Sequence, residues 1–536
     1  MKKLLSLCLC IVLCLSSFAI ALAEEPSPTE LVFTEIESGP IVGFTYKGVN
    51  TFRGVPYAQS KRFQAPEKPE PWTEVRPSFN YGLVCPSGQN DPSVVNFADF
   101  LTPSGYHWII GEDCQNLNVW SPSMNAEEKL PVLVFMHGGG GNAQELEYYD
   151  GTNLAASGNI VFVSVNHRES AIGNLDLSAY GEQYKFSAYC EYLDIIASLE
   201  WVRDNIATFG GDPENVTLMG QSMGTYNVQD LMGMPKAWGL YDKIVLNSGA
   251  SMQYPLTTTH AQTQADAAKV VEALGLTAES IDQINDIPYE TLSTAIDAVN
   301  SWMPMPQDDE FFPEPVYVDG VEIEANKSIP MMVSTTYGEF SDNIGGMLMG
   351  YSYDTDHRSA VSDEQIMDAL KARFGDNTDK VIEMFQAAYP THELFDALYI
   401  NVERSFGRDY EVIEMRGASD DTAPIYSAVY CYNYPLFGGS VCQHTNGDLP
   451  YIFNNLEFIK YQLVGDEEMA QKVSDESWKA LVNFMRNGDP NGEGVPQWPA
   501  FDAEGGSTMF FDRVSETRNY HLDDDLLDFM AQSRVE

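Results

Sequence analysis

Short apolar runs alternate with helical stretches along the first half of the chain. Four of these runs have the length and composition of a buried strand: residues 130–136, 159–165, 216–219 and 243–247. Before the third run, apolar side chains recur at the spacing of one helix face: Ile195, Leu199, Val202 and Ile206. Strands that alternate with helices predict a mostly parallel sheet covered by helices on both faces. Ligands are then expected beyond the carboxyl ends of the strands.

The second half of the chain has a similar mixture of patterns. Residues 260–300 and 361–400 are predicted to be mostly helical, and residues 313–320 and 329–336 to be extended. No repeat, low-complexity block or Pro/Ser-rich linker divides the chain after its first residues. The composition therefore marks no domain boundary.

The first residues of the chain have the pattern of an export signal. Two lysines precede an apolar run over residues 4–22, which closes with an A-x-A cleavage motif. This pattern predicts a cleaved signal peptide over residues 1–23 and a mature protein over residues 24–536 that is secreted or associated with the cell envelope. A retained membrane anchor is the alternative, because the run approaches the length of a membrane span. Serines within the run and the cleavage motif favour the signal peptide, so no stable membrane insertion is expected.

The charge balance of the chain is strongly acidic. Lys and Arg number 30 against 78 Asp and Glu, which gives a formal net charge of −48. Such a surface argues against nucleic acid and anionic membranes as partners, and it favours solubility. The cysteines outside the predicted signal are odd in number, so at least one thiol stays unpaired within the chain: Cys85, Cys114, Cys190, Cys431 and Cys442. Cys442 and His444 lack a second Cys/His cluster, so neither a metal nor another cofactor is predicted.

Ser222 is the candidate nucleophile of the chain. It lies in the G-x-S-x-G motif of residues 220–224, between a predicted strand and a helical stretch, which is the setting of a nucleophile elbow. A serine that only caps the following helix is the alternative. Upstream, His137 and the four glycines of residues 138–141 follow a predicted strand and match an HGGG oxyanion loop. The alternative there is a flexible turn; a phosphate loop is excluded, because no Lys-Ser/Thr follows.

Many segments resemble the type-B carboxylesterases, which include the cholinesterases, and they occur in the order of that family. They are residues 52–72, 111–122, 130–140, 163–168, 209–224, 240–251, 316–320, 329–341, 447–455, 483–491, 498–502 and 508–512. The resemblance spans nearly the whole mature chain. It implies one α/β-hydrolase domain over residues 24–536, with a central, mostly parallel, twisted sheet flanked by helices and with helical insertions over the active site.

The resemblance also implies a catalytic triad of Ser222, Glu339 and His444. Glu339 occupies the position of the family's glutamate in IPMMVSTTYGEFS, with Asp342 as the alternative acid. His444 precedes a segment that resembles the family's H-x-x-[DE]-[LI]-P motif, although this chain has one residue more before Asp448. The order of nucleophile, acid and base agrees with that of α/β-hydrolases.

The backbone amides of Gly139, Gly140 and Met223 are the oxyanion donors that the resemblance implies. Two neighbours of the serine depart from the family pattern. Gln221 stands where the family usually has glutamate, and Met223 stands where it has a small alanine. The loss of glutamate next to the serine makes a choline-ester specialist an unfavoured interpretation.

Two structural pairings follow from the same resemblance. Cys85 and Cys114 stand where the family has a disulfide, and Arg53 and Glu112 stand where it has an ion pair. The predicted function is therefore that of a secreted serine esterase that acts on small-molecule esters through an acyl-enzyme without a metal or organic cofactor. A non-catalytic adhesion domain, and an amidase or lipase on the same fold, are the alternatives.

Overall fold

The computed structural model of the chain describes residues 30–86, 109–138, 149–252, 258–299, 305–308, 310–318, 320–339, 358, 361–400, 410–435, 439 and 446–535. The strands are β1 Leu31–Ile36, β2 Gly39–Tyr46, β3 Val49–Pro56, β4 Arg76–Pro77, β5 Asn116–Ser121, β6 Leu130–Met136, β7 Val161–Val165, β8 Gly211–Gln221, β9 Lys243–Asn247, β10 Thr258–Thr259, β11 Pro306–Gln307, β12 Tyr317–Val318, β13 Val321–Glu322, β14 Met331–Thr336, β15 Ile425–Tyr430, β16 Ser507–Phe511 and β17 Glu516–Asn519. The α-helices are α1 Thr152–Gly158, α2 Ser170–Asn174, α3 Cys190–Asn205, α4 Met223–Met232, α5 His260–Ala273, α6 Tyr289–Ala298, α7 Asp363–Phe374, α8 Thr378–Ala388, α9 Tyr410–Gly417, α10 Leu449–Ile452, α11 Glu467–Asn487 and α12 His521–Ser533.

One large sheet of 13 strands organises the described residues. Its order is β1-β2-β3-β5-β7-β6-β8-β9-β14-β15-β16-β17, with β4 paired to β2. The neighbours from β7 to β16 in this order run parallel. The strands β1, β2, β3 and β5 join one end antiparallel, and β17 joins the other end antiparallel. The predicted mostly parallel sheet is confirmed.

Hydrophobic side chains pack on both faces of the sheet. Along β6, Val132, Val134 and Met136 belong to the same core cluster as helix α3. Leu133 and Phe135 alternate with them and belong to the cluster that contains helix α11. Because successive side chains of a strand point to opposite faces, this alternation places helices on both sides of a doubly covered sheet.

The register of the central strands aligns their carboxyl ends. Met136 of β6 pairs with Gly220 of β8. One residue further along, Gln221 pairs with Asn247 of β9, and Asn247 pairs with Ser334 of β14. The segments that follow these strands therefore meet at one edge of the sheet, where parallel sheets of this kind bind ligands.

The helix predicted from the spacing of apolar residues is confirmed as α3, in which Ile195, Leu199 and Val202 are buried. The fourth predicted core residue, Ile206, is buried in the 3-10 turn that directly follows α3. Strand β8 is longer than its prediction, because the residues on either side of 216–219 also pair with β6 and β9. The predicted signal peptide lies outside the described residues. Within the part of the chain that the structure describes, no helix is both long enough and apolar enough to cross a membrane.

Candidate active site

Ser222 occupies a sharp turn between β8 and α4. Its backbone has φ 52° and ψ −121°, a conformation that residues with a Cβ rarely adopt. Such backbone strain costs about 1–3 kcal/mol and persists only where the surrounding structure enforces it. Here the Ser222 N–H donates to the carbonyl of Asn247 at 2.9 Å, and the Ser222 carbonyl accepts from the Thr225 N–H at 2.8 Å. The turn has the geometry of a nucleophile elbow, with Ser222 8% exposed.

Two glycines allow this turn to close. A Cβ atom on Gly220 would lie 2.1 Å from the Gly224 carbonyl oxygen. A Cβ atom on Gly224 would lie 2.2 Å from the carbonyl oxygen of Met136 in the neighbouring strand. Neither position has room for any side chain, so the glycines of the G-x-S-x-G motif are required by close backbone approach.

The start of the glycine run lies against the serine. A Cβ atom on Gly138 would lie 2.2 Å from the Gln221 side-chain oxygen and 2.9 Å from Ser222 Cβ. The predicted oxyanion residues Gly139 and Gly140 follow directly, but they lie outside the described residues. The first part of the predicted oxyanion loop is thus in contact with the serine turn.

Met223 is the first residue of helix α4. The first N–H groups of a helix have no partner within that helix, and they carry its positive dipole end. The Met223 amide therefore has the helix position that suits an oxyanion donor. Met223 is only partly buried, so methionine in place of a small residue is not completely enclosed.

Glu339 follows strand β14 in a buried turn and is 1% exposed. Its Oε1 atom accepts hydrogen bonds from the Thr335 hydroxyl and the Thr336 N–H, both at 2.8 Å. Its own N–H donates to Thr336 Oγ1 at 3.0 Å. The Oε2 atom has no hydrogen-bond partner among the described residues. One carboxylate oxygen is thus fixed, and the other can accept a proton donor such as an imidazole.

Asn247 is a site residue that the sequence reasoning missed. Its carbonyl accepts from the Thr225 hydroxyl at 2.7 Å in addition to the Ser222 N–H. Its side-chain amide donates to Asp448 Oδ2 at 2.7 Å and to Ser334 Oγ at 2.9 Å. A single buried residue therefore connects the serine turn with the end of β14 and with Asp448. The only signal in the sequence is its position at the end of a predicted strand.

Asp448 is fully buried and lies at the N-terminus of α10, four residues after His444. Burial raises the pKa of Asp448 to about 7, and the negative charge of Glu339 adds to this effect. The hydrogen bond from Asn247 acts in the opposite direction and lowers that pKa. Asp448 thus fixes the segment after the predicted base close to Glu339, although His444 itself lies outside the described residues.

His392 is a buried histidine after Glu339 among the residues that the structure describes. Its Nδ1 lies 2.9 Å from Asp396 Oδ2, and its Nε2 lies 3.3 Å from Asp512 Oδ2. Burial lowers the pKa of His392, but the hydrogen bonds to the two carboxylates outweigh burial and raise it to about 9. A histidine that is held protonated between two carboxylates is unsuited to act as a general base at neutral pH.

Two predicted pairings differ from the structure. Cys85 and Cys114 are both buried free thiols, so the predicted disulfide is not present. Cys85 instead makes a thiol hydrogen bond with Cys114, and its sulfur accepts the Glu169 N–H at 3.3 Å. These contacts satisfy the sulfur without a covalent bond.

The predicted ion pair of Arg53 with Glu112 is wrong. Arg53 pairs with Asp150, with 2.8 Å between Nη2 and Oδ2. Glu112 pairs with Arg62, whose Nε lies 2.7 Å from Glu112 Oε2. Both arginines belong to the same N-terminal segment, and sequence resemblance alone does not distinguish which of them reaches Glu112.

The chain belongs to the carboxylesterase family, whose sequence model matches residues 29–527. It is 29% identical over 496 residues to the para-nitrobenzyl esterase of Bacillus subtilis (strain 168), which covers 88% of this chain and 93% of that protein. It is 28% identical over 496 residues to liver carboxylesterase 1 of Oryctolagus cuniculus, with 85% of each chain covered. A solved esterase from Clostridium hathewayi, described as hydrolysing aliphatic aromatic polyesters, superposes with a TM-score of 0.83 at 30% identity, covering 94% of this chain and 100% of that chain.

These similarities confirm the resemblance to type-B carboxylesterases and the α/β-hydrolase fold. They also establish the class of activity, which is hydrolysis of carboxylic esters.

Proposed function

We propose that the protein is a secreted serine esterase in which Ser222, His444 and Glu339 form the catalytic triad. The left-handed backbone of Ser222, at the carboxyl edge of the sheet and before a helix, is the observation that carries this proposal. A serine that merely capped the helix would accept a backbone N–H with its side chain. Ser222 makes no such side-chain cap hydrogen bond.

In the proposed reaction, Ser222 Oγ attacks the ester carbonyl while His444 accepts the hydroxyl proton. Glu339 orients the imidazole and stabilises it once it is protonated. The fixed Oε1 and the available Oε2 of Glu339 support this role. The alcohol leaves with a proton from His444, and a water molecule activated by His444 then releases the acid from the acyl-enzyme.

The amides of Gly139, Gly140 and Met223 are proposed to bind the oxyanion of the tetrahedral intermediate. The position of Met223 at the N-terminus of α4 supports this assignment, as does the contact of Gly138 with the serine turn. Loss of one such donor typically raises the barrier by about 3 kcal/mol. The protein thus stabilises developing charge with backbone groups that need no reorganisation.

The substrates are proposed to be small-molecule esters outside the cell. Export is proposed from the signal pattern, and N-terminal sequencing of protein from the culture medium would test whether the mature chain begins at residue 24. A panel of p-nitrophenyl esters of increasing acyl length, together with an aliphatic aromatic polyester film, would define the preference. The polyester belongs in the panel because the Clostridium hathewayi esterase is described as acting on such polymers.

The test of the proposed triad compares two serine variants. Ser222→Ala should abolish hydrolysis of p-nitrophenyl acetate, because it removes the nucleophile. Ser170→Ala is the matched control, since Ser170 also has a left-handed backbone, with φ 53°, and has no role in the proposed site. Full activity in Ser222→Ala would refute the assignment, whereas loss of activity in both variants would point to disturbed folding.

The proposed base also predicts a pH dependence. Activity requires neutral His444, and an imidazole with an ordinary pKa becomes protonated below about pH 6 to 7. We expect kcat/KM to fall as the pH decreases through this range. A profile that stays level down to pH 5 would contradict a histidine base with an ordinary pKa.

A further inference from the structure

Three buried ionisable side chains lie together beside the proposed active site, at the carboxyl ends of β6 and β7. His137 follows β6, and His167 and Glu169 follow β7. They are 3%, 0% and 3% exposed, respectively. His137 Nε2 lies 3.5 Å from Glu169 Oε1, and His167 Nε2 lies 3.8 Å from the same oxygen. No step of the proposed ester hydrolysis uses this cluster.

Backbone contacts determine which ring nitrogens are available. His137 Nδ1 lies 2.8 Å from the Gly138 carbonyl oxygen, and His167 Nδ1 lies 3.2 Å from the Arg168 carbonyl oxygen. A carbonyl oxygen only accepts hydrogen bonds, so each Nδ1 carries the proton and each Nε2 presents a lone pair. Neither Nε2 has a hydrogen-bond partner among the described residues. Two lone pairs and a carboxylate oxygen therefore face one another in a buried space.

A neutral imidazole is the form that binds metal ions. The carbonyl contact of each Nδ1 leaves each Nε2 as the lone-pair atom, so both rings are oriented as metal ligands.

We propose that His137 Nε2, His167 Nε2 and Glu169 Oε1 bind a divalent transition-metal ion, for which Zn²⁺ is the best fit. Imidazole nitrogen and carboxylate oxygen are ordinary zinc ligands, and bonds of about 2.0–2.2 Å in a tetrahedral site place ligand atoms about 3.3–3.6 Å apart. The observed separations of 3.5 and 3.8 Å are close to this value. All three ligand atoms lie within 4.8 Å of one another.

The stacking of the two rings supports a preformed site. The ring centroids are 5.3 Å apart, and the planes differ by 12°. This parallel arrangement brings both Nε2 atoms to the same carboxylate. Donation from each Nδ1 to a backbone carbonyl is the outer contact that usually orients a metal-bound histidine. Both rings are therefore already oriented towards one ion position beside Glu169 Oε1.

An ion in this position would stabilise the structure at the sheet edge that carries the proposed active site. It would join the residue after β6 to the segment after β7. Gly138 directly follows His137. Because it has no Cβ atom, Gly138 can lie in contact with Gln221 and Ser222. The ion would therefore hold the beginning of the proposed oxyanion loop. Binding of the ion does not require Ser222 to be the nucleophile.

The test measures zinc binding to the full-length mature protein after treatment with a chelator. Titration of Zn²⁺ against a chromophoric competitor, with elemental analysis, should give one zinc ion per chain in the wild type. His167→Gln and Glu169→Gln should each weaken binding by at least about 100-fold, because each removes a direct ligand and loss of an outer contact alone costs 10–100-fold. Zn²⁺ should also raise the melting temperature of the wild type, because it binds only the folded state.

Two controls separate this site from other metal-binding residues. His521→Gln, on the partly exposed N-terminal residue of α12, should leave zinc affinity unchanged. His444→Gln should also leave it unchanged, although it removes the histidine near Cys442. Equal zinc binding in all variants, or no bound zinc in the wild type, would overturn the proposal.

Substitution of Co²⁺ in the wild type gives a measurement that needs no variant to fold. Nitrogen and oxygen ligands should produce the visible bands of tetrahedral Co²⁺ without the charge-transfer band of a thiolate. A thiolate band would place the ion at a cysteine and would equally overturn the proposal.

Discussion

Replacement of Asp448 by asparagine should make the protein more stable at alkaline pH. Asp448 is fully buried and receives a hydrogen bond from Asn247 at 2.7 Å. Its other oxygen has no hydrogen-bond partner among the described residues. An ionised carboxylate in this environment is therefore poorly compensated. Asparagine has nearly the same shape and still offers an oxygen to Asn247.

The magnitude follows from the pKa of Asp448. Burial raises this pKa to about 7 from the usual 3.8 of an aspartate. Because the folded state binds the proton more tightly than the unfolded state, stability falls as the pH rises from about 4 to about 7 and stays low above that range. The rise of this pKa by about 3 pH units corresponds to about 4 kcal/mol in the free energy of unfolding. Asp448→Asn should remove that pH-dependent loss.

The assay is urea denaturation of the wild type and Asp448→Asn between pH 4 and pH 9. The variant should gain stability over the wild type as the pH rises, with the full difference above pH 7. Asp512→Asn is the contrasting control, since Asp512 is also a buried aspartate but pairs with His392. There the hydrogen bond to His392 outweighs burial and lowers the pKa of Asp512 to about 2. Removal of the Asp512 charge should lower the free energy of unfolding by about 3 kcal/mol at pH 7. If both variants shift stability in the same direction, the reasoning on Asp448 is wrong.

Three further perturbations test the site and its surroundings. Gly138→Ala places a Cβ atom 2.2 Å from the Gln221 side-chain oxygen, so kcat should fall by about 10²-fold, whereas Gly111→Ala, which meets only the end of the Leu83 side chain, should keep its activity. Asn247→Ala should lower the free energy of unfolding by about 2 kcal/mol at pH 8 and by less at pH 5, where Asp448 is protonated, as urea denaturation would reveal. The pKa of His392 is raised from 6.5 to about 9, so protonated His392 stabilises the folded state. This stabilisation is fully present below pH 6.5 and is lost as the pH rises through 9. His392→Gln should remove about 3 kcal/mol of this alkaline loss, and an unchanged profile would contradict the assigned ion pair.

The sequence predicts the framework of the fold well, because the relevant signals are local. The apolar runs of β6 and β9 coincide with the observed strands, and the spacing in α3 marks the buried face of that helix. The turn at Ser222 was predictable too, since two glycines flank a serine between a strand and a helix. Each of these features depends on neighbouring residues in the chain.

Contacts between distant segments could not be predicted in this way. Asn247 joins Ser222, Ser334 and Asp448 through hydrogen bonds that depend on the register of three strands. The cluster of His137 with His167 forms only because β6 and β7 end side by side. No periodicity or short motif encodes such proximity. The same reason explains why Glu112 pairs with Arg62 while Arg53 pairs with Asp150.

The central claim is that Ser222 is the nucleophile of an ester hydrolase, and covalent labelling tests it most directly. The mature protein is treated with a fluorophosphonate, digested, and analysed by mass spectrometry. We predict one adduct per chain, located on Ser222 and formed in parallel with the loss of esterase activity. An adduct on another residue that accompanies complete inactivation, with Ser222 unmodified, would contradict the account.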